Sequence, residues 1–154
     1  MSTPIIETIA VKIAALVDGV TVAAGYNQTL TAVRPKRIHL ESDINTDLSV
    51  IIEAEDAVIE QDSNTHIIWR QGFALQALVI DSDEATAAVD TRLNQVRSDI
   101  EKILMDGDNW QLDGYGEILL KSAERFIADP AVAGIAVNID VLYQVNKADP
   151  YSRT

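Results

Sequence analysis

The sequence predicts an α+β fold: a mostly antiparallel or mixed β-sheet with two main α-helices packed against it, in a single domain over residues 1–154. Three observations carry this. Two segments place their apolar residues at three- and four-residue steps, which lines them along one face of a helix. Between and after them run long segments in which apolar and polar residues alternate, the period of a half-buried strand. The chain has 154 residues, 47% of them hydrophobic, with only four prolines and seven glycines, which suits one globular core.

The first helical stripe is Ile5, Ile6, Ile9, Ile13, Leu16 and Val17. Thr3 suits a cap, Pro4 the first helical position and Gly19 a stop, so a helix is expected from about Pro4 to Asp18. Gly25-Tyr26-Asn27 then reads as a turn, followed by the β-prone Leu30 to Arg34, which closes at Pro35. Asp43 to Asp47 has loop composition. Leu48, Val50, Ile52 and Ala54 alternate as a strand, which Val58 to Asp62 either prolongs or follows as a separate one. Asp62-Ser63-Asn64-Thr65 supplies a hairpin turn. Thr65 to Ile80 reads as one long strand, with Gly72 marking a candidate bulge.

Ser82-Asp83-Glu84 offers a cap and first-turn negative charge for a second helix. Its stripe is Val89, Leu93, Val96, Ile100, Ile103 and Leu104, and Asp106-Gly107 ends it. Gly116 to Phe126 reads as a strand and Asp129-Pro130 as a turn. Ile135, Val137, Ile139, Val141, Tyr143 and Val145 form the apolar face of a closing strand, while Gly134, Ala136, Asn138, Asp140 and Gln144 face the other way.

Composition narrows the chemistry. Without cysteine there is no disulfide, thiolate metal site or cysteine nucleophile. His39 and His66 are the only histidines and stand in no two-ligand spacing, so neither a metal nor a cofactor is expected. Asp106-Gly107-Asp108-Asn109 opens like a calcium loop, but that loop's glycine position falls on Gln111. No phosphate-cradling glycine loop or nucleophile elbow occurs, so the reading points away from an enzyme. The N-terminal Met1-Ser2-Thr3-Pro4 carries no basic region, and no apolar run is long enough to span a bilayer, so no membrane partner is expected. Twelve basic against twenty-four acidic residues give a net charge of -12, which opposes tight nucleic-acid binding.

What remains are candidate surfaces. Arg34-Pro35-Lys36-Arg37 is the one basic cluster of an acidic chain, so Arg34, Lys36 and Arg37 suit contact between copies meeting head to tail. Trp110, in a polar loop, and Tyr151 and Arg153, in the tail, are candidates for contact with another chain. The polar segments Ile38 to Asp47 and Met105 to Gly114 are candidates for docking partners. Glu53, Glu55, Asp56 and Glu60 cluster in one strand region as a candidate acidic wall.

The element order, the Gly25-Tyr26-Asn27 turn with Leu30 and Val33-Arg34 after it, and the endings Val141-Leu142-Tyr143-Gln144-Val145 and Asp149-Pro150-Tyr151-Ser152 resemble bacteriophage tail terminator proteins. The resemblance covers nearly the whole chain through short structural motifs; only the Tyr26-Asn27 turn and the Asp149-Pro150-Tyr151 ending match position by position, which makes Tyr26 and Asn27 further candidates for a subunit or partner interface. It implies a virion structural protein, assembled in the host cytoplasm, that forms a homohexameric ring on the finished tail tube. Such a ring stops addition of tube protein and offers its other face to a head-completion or neck protein. DNA would pass through its lumen without specific binding. Other readings are a different head-tail connector, tail completion or tube component, or a small binding module.

Overall fold

The computed structural model describes residues 2–34, 47–80, 88–129 and 132–153. Along the chain these form α1 (Ile5–Asp18), β1 (Thr31–Val33), β2 (Ser49–Asp62), β3 (His66–Ile80), α2 (Val89–Met105), β4 (Glu117–Asp129) and β5 (Val132–Asn146). Short 3-10 turns sit at Val22–Ala24 and Asn109–Gly114. The strands make one mixed sheet in the order β1-β2-β3-β5-β4, with β1 parallel to β2 and every other pair antiparallel. The expected α+β class and its two main helices are present.

The predicted stripes become the core because each side-chain period matches its element. From α1, Ile9, Ile13 and Val17 are fully buried, and from α2, Val96, Ile100 and Leu104. They meet the odd-numbered residues Phe73, Leu75, Ala77 and Val79 of β3 and Ile135, Val137, Ile139 and Val141 of β5. Each such aliphatic side chain contributes about 1.5–3 kcal/mol by leaving water, so truncating Ile13 to Ala would cost several kcal/mol. The even-numbered residues of β3 and β5 project to the opposite face, which no helix covers among the described residues.

Several local expectations change. Thr3 makes no cap: Pro4, with φ -58° and ψ 146°, is the extended residue before the helix, and its carbonyl accepts from the Glu7 and Thr8 N–H groups. The two candidate strands of 48–62 are one strand, β2, with a bulge between Ala54 and Ala57. That bulge lies opposite Gly72, while β3 itself runs in unbroken register against β5. The glycine marks the right row, but the extra residue sits in the partner strand. Residues 109–114 fold into a 3-10 turn rather than an open loop. The Ser82-Asp83-Glu84 cap, the Pro130 turn and loop residues 43–46 lie outside the described residues.

A folded-back tail closes the structure. After β5 the Asn146 N–H donates to the Ser152 carbonyl at 2.7 Å, and the Ile5 N–H donates to the Pro150 carbonyl at 3.3 Å. The Arg153 guanidinium donates to the Gly114 carbonyl at 2.7 Å and lies 4.1 Å from the Tyr115 ring centre. The Asp149-Pro150-Tyr151 ending therefore ties the last strand to the start of α1 and to the turn after α2.

Candidate functional site

The sheet face that no described helix covers holds a recess of about 710 Å³. Its shape follows from two bulges on the outer strands. One lies in β2 between Ala54 and Ala57, the other in β4 between Leu120 and Ser122. A bulge bends its strand and increases the local twist, so bulges on both flanks of one row curl the sheet around its centre. Gly72 and Asp140 pair across β3 and β5 at the floor of that curve. A Cβ on Gly72 would stand 3.4 Å from the Glu55 Cβ, so the missing side chain keeps this floor low.

The lining is polar and mainly acidic. From β2 come Glu55 and Asp56, from β3 Arg70, from β4 Lys121, Ser122 and Glu124, and from β5 Asn138 and Asp140. Arg70 organises the floor. Its Nε and Nη2 donate to Glu60 at 3.0 and 3.1 Å, and its Nη1 donates to Asp140 at 3.1 Å. The fork therefore joins two carboxylates from separate strands, a geometry a lysine would not reproduce. The guanidinium's hydrogen bonds and charge hold Glu60 below the usual carboxylate range, and the same bonds raise the pKa of Arg70. Asn138 donates to Ser122 Oγ at 3.0 Å. Glu55, Asp56 and Lys121 form no ion pair among the described residues. No three carboxylates or histidines among the described residues converge closely enough to hold a metal ion.

The four residues of the candidate acidic wall therefore come together. Glu55 and Asp56 line the recess, Glu60 is clasped by Arg70 beside it, and Glu53 lies on the same face, opposite Ala74. Arg70, Lys121, Ser122, Glu124, Asn138 and Asp140 were not candidates from sequence. Alternation put Asn138 and Asp140 on one face, but only the strand order brings them beside β2 and β4.

The remaining candidates are scattered. Tyr26 is 9% exposed, its ring 4.7 Å from the Lys102 ammonium, and burial raises its phenol pKa. Asn27 donates to Asp99 through its backbone N–H at 3.2 Å and its side-chain amide at 3.1 Å. The Tyr26-Asn27 turn thus fastens the α1–β1 connection to α2. Arg34 clasps Glu7 of α1 at 2.7 and 3.0 Å. Trp110 is half-buried against the core. Arg153 is engaged with Gly114 and Tyr115, whereas Tyr151 stays 47% exposed. Lys36 and Arg37 lie outside the described residues, as does most of the Ile38 to Asp47 segment.

No protein-family model matches the chain, and comparison with curated proteins finds no match. No helix among the described residues is long and apolar enough to cross a membrane.

Proposed function

We propose that this chain is a virion structural protein that caps a phage tail tube as a hexameric ring. In this reading it ends tube growth and presents a docking surface to the head or neck. The observation that carries the proposal is the curved sheet face that no helix covers among the described residues. It bears Glu53, Glu55, Asp56, Glu60, Glu124 and Asp140 against Arg70 and Lys121. A wall with this excess of carboxylates repels phosphate, so a duplex slides past it without sticking. Screening limits that repulsion to about 8 Å at physiological salt, so the wall acts only on DNA confined close to it. That is the situation inside a tail lumen. The sequence resemblance to tail terminators supports the same reading.

The test is the mass of the purified protein by light scattering, with negative-stain images, alone and after addition of isolated tail tubes. Rings of six, either free or formed on tube ends, with tubes held at a fixed length, are the expected result. A monomer that ignores tubes and leaves their growth unchanged overturns the proposal. Lysines at Glu55 and Asp56, which form no ion pair among the described residues, are expected to leave rings intact and slow DNA ejection. The polar recess favours one second reading, a small binding module, which a saturable small-molecule ligand and no effect on tubes would support.

A further inference from the structure

We propose that the recess is a binding site for a linear aliphatic polyamine, with one terminal ammonium seated over Gly72 between Glu55 and Asp140 and the other at Glu124. The inference goes beyond the capping reading and does not depend on it.

The seat over Gly72 rests on more than acidity. Asp140 is 9% exposed, and its Oδ2 accepts from Arg70 at 3.1 Å. Its Oδ1 has no hydrogen-bond partner among the described residues and is not sealed off, so it reaches the recess. An acceptor this enclosed is costly unless water or a ligand meets it. Gly72 leaves the room for one. From the place a Cβ would take on Gly72, the Glu55 Cβ lies 3.4 Å away, the Asp56 carbonyl oxygen 3.6 Å and Asp140 Oδ1 3.7 Å. A small group that donates in several directions suits that space. An alkylammonium brings three donors, a positive charge and no acceptor.

The rest of the lining sets the length of the ligand. Asp140, Asn138 and Ala136 of β5 share this face, and β4 places Ser122 opposite Asn138 and Glu124 opposite Ala136. Four strand positions separate the row of Asp140 from that of Glu124, which is about 13 Å of strand. An extended triamine spans that distance and a short diamine does not. Midway, the Asn138 amide nitrogen donates to Ser122 Oγ at 3.0 Å, which leaves the Asn138 side-chain oxygen as an acceptor for a secondary ammonium.

Charge sets its sign. Glu55, Asp56, Glu124 and Asp140 line the recess against Arg70 and Lys121. Arg70 is occupied by Glu60 and Asp140, whereas Glu55, Asp56 and Glu124 form no ion pair among the described residues. Lys121 stands against a cationic ligand, and the excess of carboxylates outweighs it. No three carboxylates among the described residues converge to hold a metal ion, so the separated carboxylates suit a ligand whose charges are spread along a chain.

Spermidine, putrescine and butylamine are titrated into the purified chain by calorimetry at low salt, with magnesium chloride as the control for loosely held counterions. Spermidine should bind saturably and at least about tenfold more tightly than butylamine, because each further charge-assisted contact contributes roughly that factor. Gly72 has no left-handed φ, so Gly72→Ala fills the seat without backbone strain and should weaken all three amines. Glu124→Gln should remove the advantage of spermidine over putrescine and leave putrescine unchanged. Lys121→Met should tighten spermidine. Thermal melts without amine check that each variant is folded, and the exposed Glu124→Gln carries the test if Gly72→Ala unfolds. Binding that never saturates, that magnesium displaces at equal charge, or that neither Gly72→Ala nor Glu124→Gln alters overturns the proposal. So does a lysine-rich peptide that binds where spermidine does not, which would assign the recess to a protein partner. Ring formation and tube length, measured without amine, test capping separately. Capped tubes with no amine binding remove this site alone, and amine binding with unaltered tube growth keeps the site and removes capping.

Discussion

Removing the Asp99 carboxylate tests whether the Tyr26-Asn27 turn is held by α2. Asp99 is 3% exposed and accepts from the Asn27 N–H at 3.2 Å, the Asn27 side-chain amide at 3.1 Å and the Gln28 N–H at 2.9 Å. Asp99→Ala leaves two backbone donors without this acceptor, and an unsatisfied buried donor costs about 1–3 kcal/mol. Asn27 is exposed and recovers water, so the net loss is roughly 2–4 kcal/mol. With a urea slope of about 2 kcal/mol/M for a chain of this size, the unfolding midpoint should fall by roughly 1–2 M at unchanged slope. Asp99→Asn keeps one acceptor oxygen and should fall in between. Gln95→Ala removes only the 2.8 Å Gln28–Gln95 hydrogen bond and should cost less than about 1 kcal/mol. An Asp99→Ala midpoint within error of the parent would refute the account, since the turn would then be held by the packing of Tyr26 alone.

Two further outcomes are expected. Gly134 lies under the Phe126 ring on the neighbouring strand, where a Cβ would collide with the ring, so Gly134→Ala should destabilise by about 1–3 kcal/mol, with part recovered on adding Phe126→Ala, as read by thermal melts. Hydrogen bonding from Arg34 lowers the Glu7 pKa, so the pair's stabilisation is present above the ordinary carboxylate pKa and is lost as pH falls through the folded value. Acid titration of stability should therefore show a weaker decline in Arg34→Met than in the parent, and equal declines would refute it.

Much of the fold is legible in the sequence because the side-chain period is a local property. His66–Ile80 and Val132–Asn146 follow from odd-numbered apolar alternation, and both helices follow from their stripes. The β2 bulge was not legible as such. Ala54 to Asp62 is solvent-exposed, so no hydrophobic alternation records where its register slips. The acidic wall was partly legible, since Glu53, Glu55, Asp56 and Glu60 are close in sequence. The basic side of the same face was hidden for a different reason. Arg70 and Lys121 are 51 positions apart and meet one recess only because β5 inserts between β3 and β4. The Tyr26-Asn27 turn was recognised, but its partner Asp99 looks from sequence like any polar residue on a helix.

The distribution of burial leaves much of one strand outside the core. The core draws on the odd-numbered face of β3 and β5 and on only the first part of β2, whose burial stops after Ile52. The remaining arm of β2, paired to β3 but contributing little to the core, is long beyond what the domain's own packing requires. Its length places Glu55, Asp56 and Glu60 over the even-numbered face, with Arg70 and Asp140 tying the arm to the sheet centre.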